Sequence, residues 1–130
     1  MVDSIEALRK GTEAIIAENP IDIVFTCFGT VEDEHGNIKR ITKKTEVHRV
    51  RIAELSHSET EKLIQQGAVN THSVNITARH DADIQAGYVF DFLGKRFRVE
   101  FIRKITHKGY TADRVYKMSG RASETSEAVQ

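Results

Sequence analysis

Histidine is the side chain in this sequence best suited to metal binding or proton transfer, and it occurs six times. The histidines are spread along the whole chain: His35, His48, His57, His72, His80 and His107. A zinc site typically uses histidines one helical turn apart or at closely paired strand positions, and none of these has that spacing. The spacing therefore predicts surface histidines and no metal site.

Nucleophilic chemistry would need a thiol or a hydroxyl beside a base. Cys27 is the only cysteine, and it lies in an apolar run where a buried, inert thiol is expected. No Gly-x-Ser-x-Gly motif presents a serine. Gly87 and Gly94 are separated by six residues, whereas four separate the glycines of a phosphate-binding loop. These observations predict a protein that is not an enzyme and needs no cofactor.

Basic residues form two clusters that are far apart in the sequence. The first consists of Lys39, Arg40, Lys43 and Lys44, and the second includes Arg96, Arg98, Arg103 and Lys104. Aromatic residues alternate with the second cluster, and such a surface can bind single-stranded nucleic acid. The period of two along a strand, however, puts Phe97, Val99 and Phe101 opposite the neighbouring arginines. We expect these three side chains in the core, and the basic ones facing DNA, another subunit or solvent.

Charge is distributed unevenly, although the formal net charge is zero. Residues 1–38 contain eight acidic and two basic side chains, whereas residues 95–117 contain eight basic and two acidic ones. This asymmetry favours head-to-tail contact between identical copies, or a basic face turned towards a polyanion. Mutual neutralisation of the two segments within one folded chain is the alternative.

These side chains must be positioned by a chain of 130 residues, which is long enough for one domain with its own core. Apolar side chains recur at helical intervals at Ile5, Leu8 and Ile16, and Pro20 ends this pattern. Residues 4–18 are therefore predicted to form a helix. The rest of the chain is rich in β-branched and aromatic residues. Predicted strands cover 21–28, 38–52, 71–79, 88–93, 96–105 and 111–118.

Most connections between these strands are too short for parallel crossovers, which favours antiparallel pairing. The predicted fold class is mainly β: a small antiparallel β-barrel or sandwich of about six strands, with an N-terminal helix and a short helix in a long inter-strand loop. A single domain is predicted over residues 1–118, with the barrel at 21–118. Residues 119–130 are small and polar, and they are predicted to be a disordered tail.

The connection over residues 53–70 contains the predicted short helix. Ser58 and Glu61 resemble a helix start, and Gly67 would end the helix one or two turns later. A connection of this length in a compact domain favours a mobile or functional segment.

Four motifs along the chain follow a recognisable order. They are the turn EDEHGNIKR (32–40), the strand THSVNITAR (71–79), the segment DIQAG (83–87) that precedes a hairpin, and the hairpin VFDFLGKRFRVEFI (89–102) itself. This order resembles the head–tail joining family of tailed bacteriophages, also called head-closure or stopper proteins. The resemblance covers about residues 22–118, and the connection at 53–70 falls where the family carries a long one.

The resemblance implies a virion structural protein that forms a ring below the portal of the DNA-filled head, links it to the tail and helps close the DNA exit channel. The implied partners are copies of itself, a portal or adaptor protein, tail proteins and, without sequence specificity, DNA. The implied location is the virion, and the host cytoplasm during assembly. Stopper, adaptor and tail-completion roles remain open. The implied channel-loop residues are Ser56, His57, Ser58, Glu59, Glu61, Lys62, Gln65 and Gln66.

A membrane partner is not expected, because no apolar run is long enough to cross a bilayer. The alternative function is a small β-barrel nucleic-acid-binding protein that acts alone. That alternative predicts salt-dependent binding to free DNA or RNA.

Overall fold

Six antiparallel strands close into a barrel in the computed structural model, which describes residues 4–54, 62 and 72–125. The strands are β1 (Ile21–Glu32), β2 (Ile38–Glu54), β3 (Ser73–Ala78), β4 (Val89–Phe92), β5 (Lys95–Thr106) and β6 (Val115–Glu124). Their order around the barrel is β1-β2-β3-β6-β5-β4, so every strand has a neighbour on both sides. The predicted mainly β fold of about six antiparallel strands is confirmed, and its form is the barrel rather than the sandwich.

The N-terminal helix α1 (Ser4–Glu18) has the bounds that the sequence predicts. Ile5 and Ile16 are buried, and the helix lies against β6, β2 and β3. The Arg9 side chain donates from Nε to the backbone oxygen of Val115 at 2.9 Å, which fixes the helix to the first residue of β6. In the described part of the chain, no helix is long and apolar enough to cross a membrane.

Aromatic rings fill the centre of the barrel. Phe25, Phe90 and Phe97 come from three different strands and are all buried. The ring centroids are 5.3 Å apart for Phe25 and Phe90, and 5.7 Å apart for Phe90 and Phe97. Ile84 enters the same core from the connection between β3 and β4. Burial of apolar side chains of this size contributes about 1.5–3 kcal/mol each, so this cluster stabilises the closed barrel.

The C-terminal strand extends further than the sequence predicts. The predicted disordered tail over 119–130 is wrong for residues 119–124, which complete β6 between β3 and β5. Small residues are required there by close packing, because Ala122 is fully buried and Gly120 lies against the β5 backbone. The start of this strand also differs, since the turn of 3-10 helix at Ala112–Arg114 precedes Val115. Residues 126–130 lie outside the described part of the chain.

A bulge in β5 reverses one predicted side-chain direction. The register of β5 against β6 shifts between Val99 and Phe101, and Glu100 is the extra residue. Phe97 and Val99 are buried in the core as predicted, whereas Phe101 is 37% exposed. The prediction that Phe101 belongs to the core is therefore wrong, because one inserted residue exchanges the two faces of a strand.

A second bulge lies in β2, opposite Phe25 of β1. The strand is continuous from Ile38 to Glu54, but its register against β1 shifts between Val24 and Thr26. The backbone N–H of Phe25 donates to the Thr45 hydroxyl at 3.1 Å, so a side chain takes the place of a ladder acceptor.

The predicted loop at 53–70 is described only in part. β2 continues to Glu54, two residues beyond its predicted end. Of the implied channel-loop residues, Lys62 is described as exposed. The others lie outside the described residues: Ser56, His57, Ser58, Glu59, Glu61, Gln65 and Gln66. The short helix and the channel loop therefore stay predictions.

Replacing Gly120 with alanine should destabilise the barrel. A Cβ at this position would lie 2.3 Å from the backbone oxygen of Phe101 and 2.9 Å from the Cα of Ile102, so a strand has to shift. We expect the free energy of unfolding in urea to fall by about 1–3 kcal/mol.

The matched control is Gly11→Ala, because nothing lies within 4 Å of a Cβ built at this position in α1. Alanine forms helix better than glycine by about 1 kcal/mol, so this variant is expected to gain stability. A Gly120→Ala protein as stable as the wild type would contradict the close approach of β5 and β6.

Candidate functional site

Beyond the barrel, β1 and β2 continue as a two-stranded ribbon, formed by residues 27–32, residues 38–43 and the turn between them. The ladder with β4 is at Thr26 and the ladder with β3 is at 51–54, so the ribbon extends past both neighbouring strands. Near its tip, Ile38 is 74% exposed and Val31 is 48% exposed. A projecting element with strand edges and apolar side chains in solvent is typical of an interaction surface.

One carboxylate organises the turn at the tip of the ribbon. Asp33 Oδ1 accepts hydrogen bonds from the backbone N–H groups of His35 at 2.9 Å and Asn37 at 2.8 Å. Gly36, with a φ of 80°, lies between these two donors. The backbone hydrogen bond from Asn37, and then that from His35, holds the pKa of Asp33 below its ordinary value. The ionised form of Asp33 therefore stabilises the turn.

The basic residues of the first cluster lie on both faces of β2. Lys39 and Lys43 share the face of Ile41, because residues two apart on a strand project to the same side. Arg40 and Lys44 project to the opposite face. All four are exposed. The sequence cluster is thus divided by the pleat of the strand into two pairs.

One row of paired residues brings part of the first cluster near the second. Thr26 of β1 pairs with Lys44 of β2 and with Val89 of β4, and Val89 pairs with Arg98 of β5. Paired residues project from the same face. Neighbouring strands lie about 4.8 Å apart, so three spacings place the backbones of Lys44 and Arg98 roughly 14 Å apart across the outer surface.

Beside this row lies an open cleft of about 340 Å³, here named the arginine cleft. Its lining consists of Phe28, Arg40, Gln85, Ala86, Gly87, Tyr88 and Arg98. The guanidinium carbon of Arg40 lies 4.1 Å from the centre of the Phe28 ring. Burial raises the pKa of the Tyr88 hydroxyl, and nearby Asp83 and Cys27 raise it further. The cleft therefore combines two guanidinium groups, an aromatic ring and a neutral phenol.

The remaining basic residues of the second cluster lie elsewhere. Arg96 is paired with Asp91, with Nε 3.1 Å from Oδ1, in a smaller neighbouring cleft of about 160 Å³. Arg103 lies over the Phe101 ring, with Cζ 5.5 Å from the ring centre. Lys104 is exposed near the end of β5. The eight predicted basic residues are thus divided among the arginine cleft, its surroundings, the ribbon and the far part of β5.

A hydrogen-bonded chain that the sequence analysis missed links β3, β6 and β5. The hydroxyls of Ser73 and Ser123 are 2.9 Å apart, and the Ser123 hydroxyl donates to Glu100 Oε1 at 2.5 Å. Arg121 donates from Nε to the other oxygen of Glu100 at 2.8 Å. Both serines are buried, so their hydroxyls connect strands and are closed to a substrate. In a short strand where polar and apolar residues alternate, no sequence pattern shows that a serine will form a hydrogen bond to another strand.

His72, just before β3, pairs with a carboxylate. Its Nδ1 lies 3.0 Å from Glu124 Oε2, and the Lys95 ammonium lies 3.8 Å from the same oxygen. The His72 ring also contacts Phe97 edge-on, with centroids 5.2 Å apart. Across residues 4–54, 62 and 72–125, no group of three or more His, Cys, Asp or Glu side chains is placed to hold a metal ion. The His72 contacts therefore join the start of β3 to the end of β6.

Lowering the pH should loosen the ribbon turn in a single step. Because the pKa of Asp33 is depressed in the folded protein, its contribution is present above the ordinary aspartate pKa and is lost as the pH falls through the lowered one. We expect the backbone amide signals of His35 and Asn37 to titrate together in NMR spectra, at a pH below the ordinary aspartate pKa. In Asp33→Asn, which cannot ionise, that titration should disappear. A titration of these amides at or above the ordinary aspartate pKa would contradict the turn geometry.

Comparison with known proteins finds a shared fold. No model of a known protein family matches the sequence, and no curated protein matches it significantly. Among solved structures, the chain is similar to the solution structure of protein SF1141 from Shigella flexneri 2a, a structural genomics target, with a TM-score of 0.58. The similarity covers 83% of this chain and 95% of that chain at 16% sequence identity. At this identity, the similarity establishes the fold of the chain and leaves its function to the site residues.

Proposed function

We propose that this protein is a structural component of a tailed-phage virion, which joins the DNA-filled head to the tail as a ring below the portal and helps close the DNA exit channel. The order of the sequence motifs supports the phage assignment. The structural observation that carries the proposal is the ribbon, since it gives one copy a means to reach the next.

A ribbon of two strands is only marginally stable alone in water, so it gains stability from a covering surface. Its outer backbone edges can pair with a further chain, and exposed Ile38 and Val31 can be buried there. Contact between the ribbon of one copy and a different surface of the next is heterologous, and such contacts form a ring when the rotation between neighbouring copies closes. Association of subunits into a ring requires neither a catalytic group nor a cofactor.

The distribution of charge supports the same arrangement. The tip of the ribbon carries Glu32, Asp33 and Glu34, whereas the outer face of β5 carries Arg98 and Arg103. Surfaces of opposite charge steer identical subunits into head-to-tail contact. In such a ring, the partners are further copies, a portal or adaptor protein, tail proteins and, through lysine and arginine contacts to phosphates, the DNA in the channel.

Deletion of the gene from its phage or prophage genome tests the joining role. We expect the lysate to contain DNA-filled heads and separate tails in place of whole virions, because the connection between them is missing. Negative-stain electron microscopy distinguishes these particles. Whole, infectious virions in the deletion lysate would overturn the proposal.

The ribbon is tested by complementing the deletion with point variants. Ile38→Asp places a charge at the tip, and Val47→Asp is the matched control, since Val47 is 62% exposed on the same strand outside the ribbon. We expect Ile38→Asp to lower the infectious titre by on the order of tenfold or more, as for a central contact residue, and Val47→Asp to restore it. Thermal unfolding of both purified variants checks their fold. Equal titres from two folded variants would show that the ribbon is not the assembly contact.

A second candidate function is binding of single-stranded nucleic acid by the barrel alone, and the outward position of Phe101 favours it. The guanidinium carbons of Arg103 and Arg121 lie 5.5 Å and 5.2 Å from the centre of its ring. Aromatic rings among basic residues are typical sites for base stacking.

Fluorescence anisotropy with a labelled single-stranded oligonucleotide separates the two candidates. The stand-alone function predicts a micromolar Kd that weakens by orders of magnitude between about 50 and 200 mM salt, and a loss of about tenfold or more in Phe101→Ala. The joining function predicts only weak binding that Phe101→Ala leaves unchanged.

A further inference from the structure

The loop between β5 and β6 presents an aromatic side chain to solvent. Tyr110 is 98% exposed. A tyrosine buries roughly 150–250 Å² when it is covered, and a single copy of this chain leaves that surface unused. Tyrosine is also one of the residue types that most often dominate the affinity of a protein–protein contact. Tyr110 therefore has the character of a contact residue.

Hydrogen bonds across this loop fix its backbone. Arg114 donates from Nε to the backbone oxygen of His107 at 2.9 Å, and the backbone N–H of His107 donates to the Arg114 oxygen at 3.1 Å. Lys108 and Gly109 have φ angles of 57° and 149°. A positive φ is strained for lysine, and such strain concentrates at functional sites. Because the loop is already ordered, little conformational entropy is lost when it binds a partner.

Positive charge surrounds the tyrosine. Residues 104–111, here named the tyrosine loop, contain Lys104 and Lys108 and no carboxylate. Both lysines are exposed. The carboxylate of Asp113, just beyond the loop, lies near the Arg114 guanidinium, which offsets its charge. The loop is therefore aromatic and basic.

The end of the ribbon has the complementary composition. Residues 31–38, here named the ribbon tip, contain three carboxylates and no lysine or arginine. Val31 and Ile38 are exposed among these carboxylates. A surface that is both apolar and acidic can cover a tyrosine and attract the lysines beside it.

Strand directions place the ribbon tip and the tyrosine loop at the same end of the barrel. β1 and β5 each pair antiparallel with β4, so they run in the same direction, and the tip follows β1 as the loop follows β5. Rotation about an axis along the strands keeps this end level, so two patches on it can meet around a closed ring. Six residues per strand extend the ribbon by about 20 Å, which is far enough to reach a neighbouring copy.

We propose that the ribbon tip of one copy binds the tyrosine loop of the next copy. In this contact Tyr110 packs against the apolar side chains of the tip, and the lysines of the loop lie against its carboxylates. The proposal rests on the joining function, for which it names the surface that receives the ribbon.

Disulfide cross-linking of the purified full-length chain tests the contact without any phage. Glu34→Cys and Lys108→Cys introduce one thiol in the tip and one in the loop, and Cys27→Ser removes the native thiol. The matched control combines Glu34→Cys with Leu93→Cys, because exposed Leu93 lies in the turn at the opposite end of β5. We expect about tenfold or more linked protein from the first combination, since binding raises the local concentration of its thiols. Equal yields, including no linked protein from either combination, would overturn the proposal.

Charge reversal in the complemented deletion tests the contact during assembly. We expect Glu34→Lys and Lys108→Glu each to lower the infectious titre by about tenfold, and the double variant to restore it, because the two charges attract again with opposite signs. Glu46→Lys makes the same change on β2 outside the tip and should leave the titre within about twofold. A double variant no better than the weaker single variant would overturn the proposal.

Tyr110 offers a test in which loss of fold plays no part. Because its side chain is almost fully exposed, Tyr110→Ser should unfold at the wild-type temperature. We expect it to lower the yield of linked protein by about tenfold, as for an aromatic contact residue, and Tyr110→Phe to restore the yield. Equal yields from the two variants would contradict the proposed contact.

Failure of the contact and failure of the joining function give different results. Whole virions in the deletion lysate together with efficient cross-linking would support the contact and overturn the joining function. Separate heads and tails together with equal cross-linking yields would support the joining function and overturn the contact.

Discussion

The pairing of Thr26 with Val89 is the constraint on which the rest of the structure depends. It is where β1 meets β4, and so it is where six strands become a closed barrel. Phe25 packs against Phe90 immediately beside it, with ring centroids 5.3 Å apart, so burial of apolar surface supports a short ladder. Thr26 also marks the end of the barrel part of β1, since the ribbon begins at the next residue. Closure of the body and projection of the ribbon therefore depend on the same point.

Closure also decides which charges meet on the folded surface. Glu13 of α1 lies 2.7 Å from the Arg79 guanidinium, and Glu18 lies 3.5 Å from that of Arg51. These exposed pairs contribute at most about 1 kcal/mol each, but they show that the acidic helix is matched by arginines outside β5. These two carboxylates of α1 are therefore paired outside the basic segment at 95–117.

The sequence predicts those parts of the fold that local patterns specify. The bounds of α1 follow from helical periodicity and a proline, and the turn between β4 and β5 follows from alternation around Gly94. The outward turn of Phe101 is not predictable in this way, because a bulge is a property of two paired strands. The end of β6 was missed because small residues that fit a crowded sheet look the same as small residues of a disordered tail.

The candidate site shows the same limit. Arg40 and Arg98 are each visible as members of a basic cluster, but their meeting at one cleft depends on the register between strands that are not consecutive. No local pattern encodes that register. Phe28 was assigned only to a strand, since its contact with Arg40 needs the two strands of a hairpin to be paired before the ring and the guanidinium share a face.

The position of β6 has a consequence for synthesis of the protein. Although it is the last of the described strands, it lies between β3 and β5 and pairs with both. A nascent chain that lacks residues 115–124 leaves β3 and β5 without their common neighbour, with Val74, Ile76 and Val99 exposed to solvent. The barrel therefore cannot close before these residues have left the ribosome, and until then the exposed strands are prone to aggregate.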